Sequence, residues 1–274
     1  MNIYIMTCQN ATAPRNITNS KNTCLLKCRY MYDYGNSSCT VKNNIDNLTI
    51  LYDGATNVLF NDVKYNVKEI KVFRPSLHTY NGNKAVAEMI IVHTGVYGNL
   101  LVCIPFKIGS GSHPFISSLC SNGPCASEGS KTINVSDFNL GNMIPKSEYY
   151  SYSGTLPYGK CDGKYNYVVF NVNTGYIPSS ASDLNSLTTL ISKNAIKVKA
   201  GPVFYNKQGT TQNAFGGGGE IYIDCQPTGT DGEEIYIKPR SIPSESTTTD
   251  SSTDFFDMLQ SNGAQMGIGL VAFI

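Results

Sequence analysis

Tryptophan is missing from this 274-residue sequence, histidine occurs three times, and charged residues make up 15% of the chain, well below the usual quarter. With so little charge and a formal net of +1, the chain has no global attraction for nucleic acid or an anionic membrane surface, and no nucleic-acid partner is expected. No apolar run approaches the roughly 20 residues that cross a bilayer. The terminal stretch Gly267 to Ile274 would be at most the start of a span, which leaves membrane contact through the C-terminal tail as an expectation. The beginning, Met1 to Cys8, has neither a basic region nor a long apolar core, so no secretory signal is expected.

What is present favours β-structure. There are 18 Tyr, 11 Phe and 25 Gly, and hydrophobic residues reach 41%. Aromatic side chains suit a pleated, half-buried surface, while Gly and Asn suit tight turns. Nine cysteines are many for a reduced compartment, and the odd number leaves at least one unpaired within the chain. Five Asn-x-Ser/Thr sequons, at Asn10, Asn16, Asn36, Asn47 and Asn134, are weak signals in so Asn-rich a chain.

Residues 1–45 read as an irregular, cysteine-bearing arm that joins the sheet from about residue 14. A β-rich domain follows over 46–240, then a Ser/Thr linker and apolar tail over 241–274. Leu48 to Tyr52, Val58 to Phe60 and Tyr65 to Phe73 read as strands, the last alternating apolar with polar as a strand with one buried face does. Asn81-Gly-Asn83 marks a turn. Ala85 to His93, Leu100 to Phe106 and Tyr165 to Phe170 are apolar enough for central strands. Residues 109–129 read as loop. Ser179 to Lys193 predicts the one helix, with Leu184, Leu187, Leu190 and Ile191 at helical spacing. The run Gly216 to Gly219 lacks the Gly-Lys-Ser/Thr of a phosphate loop, and Glu220 to Asp224 reads as a strand.

Four segments then occur in a telling order. Pro14-Arg-Asn-Ile17, Phe73-Arg-Pro-Ser-Leu-His-Thr-Tyr-Asn-Gly82 with Ala87-Glu-Met-Ile-Ile-Val-His93, Tyr150-Ser-Tyr-Ser-Gly-Thr-Leu156 with Tyr167-Val-Val-Phe170, and the helix from Ser179 together resemble α-carbonic anhydrases over roughly residues 14–205. The resemblance implies a mainly β fold with few helices, built on a large, twisted, mostly antiparallel central sheet. In that family three neutral imidazoles hold zinc and leave a fourth position for water. The matching positions here are Lys71, Phe73 and Ile90, or Tyr65 and Val67 in place of the first two if the intervening loop is not shortened. Neither register supplies histidine. Pro157-Tyr158 stands where the family has Thr-Thr. The resemblance thus implies a chain that is not an enzyme and needs no cofactor. His78, Glu88 and His93 match structural residues of the family, His78 and Glu88 as a pair bonded across strands, with a residual acid/base role as the less favoured reading. His113, in a Gly/Ser loop, reads as solvated.

Cys161 follows the altered loop, and Cys8 lies where extracellular members of the family carry its partner, so the resemblance implies a Cys8–Cys161 disulfide beside the alternative of two separate thiols. Cys24, Cys28 and Cys39, and Cys120 with Cys125, fit either disulfides or a structural zinc site, and Cys103 reads as a small core residue. Lys71 and Arg74, with Lys68 and Lys84, are a candidate anion-binding patch weighed against ordinary solvated charge. Phe255, Phe256, Met258 and Leu259 read as a partner-docking tail or a frayed terminus.

By analogy with the carbonic anhydrase-like virion proteins of poxviruses, the expected role is a structural component of a large DNA virus particle, a minor capsid protein located in the virion and contacting other capsid proteins. A surface attachment protein for host glycosaminoglycan is the alternative, and an active zinc carbonic anhydrase is a third.

Overall fold

The computed structural model describes residues 10–24, 27–124, 129–133 and 138–212, all within one compact unit that spans residues 1–220. Cys8, Cys125, Asn134, the Gly216 run, the strand expected at Glu220 to Asp224, the Ser/Thr linker and the Phe255 to Leu259 tail lie outside the described residues.

The strands, in chain order, are β1 (Asn16–Ile17), β2 (Tyr30–Tyr34), β3 (Thr40–Asn43), β4 (Asn47–Leu51), β5 (Thr56–Phe60), β6 (Val63–Phe73), β7 (Thr79–Tyr80) and β8 (Asn83–Lys84). They continue with β9 (Glu88–Gly95), β10 (Gly98–Ile108), β11 (Ser130–Thr132), β12 (Tyr149–Gly154), β13 (Tyr165–Phe170), β14 (Ile177–Ser179), β15 (Phe204–Asn206) and β16 (Thr211–Gln212). Helix α1 is Pro114–Asn122 and α2 is Ala181–Leu190. The backbone of the main sheet runs β11-β3-β4-β6-β9-β10-β13-β12-β15. Neighbours along it are antiparallel except β10 and β13, which run parallel, so the expected mostly antiparallel central sheet is the observed one.

The centre of the sheet follows from composition. Every residue from Glu88 to His93 in β9, and from Leu100 to Phe106 in β10, is buried, as near-continuous apolar runs require when both faces are covered. One face packs a cluster with Val72, Met89, Ile91, Val102, Val168 and the two helices. The other packs Phe73, Ile90, Val92, Leu101, Cys103 and Tyr167. The expected turn closes the β7–β8 hairpin, with Asn81 and Gly82 both at positive φ between paired Tyr80 and Asn83, the conformation that Asn-Gly favours.

Two stretches differ from expectation. Within the supposedly irregular arm, Tyr30, Tyr32 and Tyr34 recur with period two and are all buried in β2, and β3 pairs with β4. Within the supposed loop, Pro114 opens α1 at its first position, His113 caps it by accepting from the Phe115 N–H, and Phe115, Ile116, Leu119 and Cys120 turn inward. Proline at a helix start is preset for helix, and the Gly/Ser content upstream hides it. His113 is therefore a half-buried cap rather than a solvated side chain. Helix α2 falls where predicted, capped by Ser180, which accepts from the Asp183 N–H. Among the described residues no helix is long and apolar enough to cross a membrane.

Candidate functional site

The sheet brings Lys71, Phe73 and Ile90 together. Lys71 of β6 lies opposite Ile90 of β9, and Phe73 lies opposite Glu88. Residues two apart on a strand share a face, as do cross-strand partners, so all three side chains occupy one face. Val67 instead lies opposite His93, at the far end of the ladder beyond a bulge, so the alternative pair Tyr65 and Val67 is remote from Ile90.

Phe73 and Ile90 are 1% and 0% exposed. The Phe73 ring packs 5.1 Å from that of Tyr158. Tyr158 is brought back over the sheet by a loop that Leu156 N–H closes onto the Asp162 carbonyl and that turns through positive φ at Gly159, Cys161 and Gly163. Its hydroxyl is buried without a hydrogen-bond partner among the described residues. Lys71 Nζ donates to Thr49 Oγ1 at 2.8 Å, lies 3.4 Å from Glu69 Oε2 and 5.8 Å from the Tyr158 ring centroid. An ammonium, a phenyl and an alkyl group offer a divalent ion no lone pair while the lysine stays charged, so these three residues do not fit zinc.

Beside them on the same face is a buried polar network. Glu88 Oε1 lies 2.6 Å from His78 Nδ1, and Glu88 Oε2 accepts from the N–H groups of Leu77 and His78. His78 Nε2 is 2.7 Å from Tyr152 Oη, and Arg15 stacks 4.5 Å above the Tyr152 ring. Burial alone would raise the Glu88 carboxyl, but the His78 ring and the two backbone donors outweigh it and hold it below the ordinary carboxylate range. His78 and Glu88 are thus hydrogen-bonded, although His78 lies in the turn before β7 rather than on a strand, and both side chains are fully buried.

His93 points to the other face. Its Nε2 meets Tyr34 Oη at 2.8 Å, and Tyr34 Oη meets Tyr30 Oη at 2.6 Å. Burial lowers its pKa to about 4, which keeps the ring neutral.

The anion-binding expectation finds its residues otherwise engaged. Lys71 is held as above, Arg74 Nε donates to the Ile191 carbonyl, and Lys84 Nζ donates to the carbonyls of Leu77 and Ile196. Lys68 is exposed. Cys24 and Cys28 form a disulfide, which removes them from any zinc site, while Cys39, Cys103 and Cys120 are buried free thiols. Cys161 is disulfide-bonded; Cys8 lies outside the described residues. A cavity of about 510 Å³, lined by Cys28, Phe60, Ser153, Asn166 and Phe204 among others, was not foreseeable from the sequence. Only the Cys24-x3-Cys28 spacing marks its edge.

No family profile matches the chain. It is similar to alpha carbonic anhydrase 7 of Arabidopsis thaliana, 29% identical over 137 residues, which cover 47% of this chain and 48% of the relative. The chain thus matches about half the length of that curated relative. Among solved structures, the α-carbonic anhydrase of Photobacterium profundum superposes with a TM-score of 0.64 at 17% identity, over 73% of this chain and 90% of the other. The α-carbonic anhydrase of Thermovibrio ammonificans, in complex with the inhibitor sulfanilamide, gives 0.65 at 19% identity, over 73% and 88%. The fold is that of the α-carbonic anhydrases.

Proposed function

We propose that this chain uses the carbonic anhydrase fold as a non-catalytic scaffold, a structural component of a virion bound to neighbouring capsid proteins. The observation that carries the non-catalytic part is the packing at Lys71, Phe73 and Ile90: two of the three side chains are sealed in the core, and Tyr158 lies against Phe73. Hydration of CO2 in this fold needs an ion with an open position for water, and these residues supply neither ligands nor room. The placement in a virion rests on analogy and sequence composition, and fold alone does not fix a role.

The competing reading is an active carbonic anhydrase, favoured by the names of the relatives and opposed by the donor set. A third, attachment to glycosaminoglycan, requires Lys71 and Arg74 to leave Thr49, Glu69 and the Ile191 carbonyl, and the structure gives it no added support.

The deciding experiment assays CO2 hydration by the purified full chain, with and without added zinc. The expected result is the buffer rate in both. A zinc-dependent rate above buffer that sulfanilamide abolishes would overturn the proposal. For the partner half, cross-linking of intact particles should join this chain to capsid subunits; particles lacking the chain would sink it.

A further inference from the structure

We infer that His78, Glu88 and Cys103 form a buried metal site of their own, suited to a thiophilic divalent ion such as zinc. The inference goes beyond the non-catalytic reading and stands independently of it.

The sheet assembles the trio on one face. Glu88 opens β9 two residues before Ile90, and Cys103 of β10 lies directly opposite Ile90. His78 comes from the turn ahead of β7, anchored by its own N–H on Glu88 Oε2. All three residues are 0% exposed, and one ligand atom from each lies within 4.8 Å of the others. Nitrogen, carboxylate oxygen and thiolate sulfur together form a donor set proper to zinc.

The surroundings are those of a ligand shell. A metal-bound imidazole ordinarily donates its other ring nitrogen to a fixed acceptor, and a metal-bound carboxylate is itself hydrogen-bonded. Here His78 Nε2 faces Tyr152 Oη at 2.7 Å, and Glu88 Oε2 takes two backbone N–H groups, while Oε1 lies 2.6 Å from His78 Nδ1 in a hydrogen bond that the ion would replace. The Tyr80 hydroxyl, 3.4 Å from Glu88 Oε1, borders the same space.

The charge balance favours a dication. Without one, the core holds the Glu88 carboxylate beside the Cys103 thiol. When the ion binds, it displaces the proton shared by Nδ1 and Oε1, the ring carries its proton on Nε2 and donates it to Tyr152 Oη, and the Tyr152 hydroxyl proton turns away from the ring. The Cys103 thiol proton leaves to solvent, and bonds form from the metal to Nδ1, Oε1 and Sγ. Carboxylate, thiolate and dication then sum to zero in a dry interior, the condition under which buried charge is tolerated. The small-core-residue reading of Cys103 accounts for its burial but not for its place beside a buried carboxylate.

The test is to produce the full chain in cobalt-containing medium, so that the ion is present as the core closes, and to record metal content and absorption. The expected result is about one cobalt per chain, with a sulfur-to-cobalt charge-transfer band that Cys103→Ser loses and His78→Gln loses or shifts. Cys39→Ser and Cys120→Ser should keep it. A folded, unsubstituted protein that retains no cobalt would overturn the inference, as would a band that survives Cys103→Ser. Should Cys103→Ser fail to fold, the unsubstituted spectrum and the two control variants still decide. CO2 hydration does not enter this readout, so failure here leaves the non-catalytic reading intact.

Discussion

Two histidines are fully buried on opposite faces of the same sheet, and the chain handles them in opposite ways. His78 sits against a carboxylate, with a tyrosine hydroxyl on its other nitrogen. His93 meets neutral partners among the described residues, including the Tyr34 hydroxyl and the Leu100 carbonyl, the latter at 3.3 Å. A charged network is worth more when intact and costs more when broken, because removing one partner leaves a buried group unsatisfied in low dielectric. Glu88→Ala strips the acceptor from two backbone N–H groups and an imidazole at once, and should destabilise the fold by about 3–5 kcal/mol. Tyr34→Phe takes this partner from the His93 ring nitrogen and from the Tyr30 hydroxyl, both neutral, and should cost about 1–3 kcal/mol. Urea denaturation of both variants measures the difference. Equal losses would mean that the two faces are not distinguished by charge.

Acid should separate the same two sites by pH. The His93 ring has its pKa lowered from 6.5 to about 4 in the fold. Between those values the unfolded chain binds a proton that the folded chain refuses, so stability falls as pH drops through that window. The loss, complete below about pH 4, amounts to about 3 kcal/mol. Glu88, held below its ordinary 4.5, contributes stability that is present above that value and lost only as pH falls further. His93→Gln should therefore flatten the stability profile between pH 6.5 and 4 while leaving the steeper fall below it. A profile that the variant does not change would show that His93 is not the group refusing the proton.

How much of this was legible in the sequence depends on whether the contact is local. The apolar runs of β9 and β10, the Asn81–Gly82 turn and the Ser180 cap each declare themselves within a few residues. The pairing of His78 with Glu88 was legible only through resemblance, since its ten-residue separation crosses two turns and carries no periodic signal. Helix α1 was hidden because the Gly and Ser before Pro114 outweigh a short stripe of four inward residues, and β2 because its cysteine-rich surroundings mask the period of its tyrosines. The position of Cys103 beside Glu88 was beyond reach: it follows from the β9–β10 register, where a slip of one residue would turn the thiol to the opposite face. The same holds for Tyr158, whose place over Phe73 is set by the backbone path of residues 156–163.

Tyr158 also carries the smallest of the expected effects. Its ring is part of the packing against Phe73, but its hydroxyl is buried and unpartnered among the described residues. Burial and the nearby Glu69 carboxylate push that phenol well above its ordinary pKa, so the group stays a neutral donor. A buried hydroxyl without an acceptor has lost its bonds to water and gained nothing in exchange. Tyr158→Phe keeps the ring and removes the cost, and should stabilise the fold by about 1 kcal/mol, read as a higher urea midpoint at unchanged slope. Tyr158→Ala should instead destabilise by about 2–4 kcal/mol, since a half-buried ring leaves a space that its neighbours fill only in part. If Tyr158→Phe proves destabilising, the hydroxyl has an acceptor. The region over Phe73 would then be a polar site like the one around His78 rather than an apolar seal, and the contrast between them would have to be redrawn.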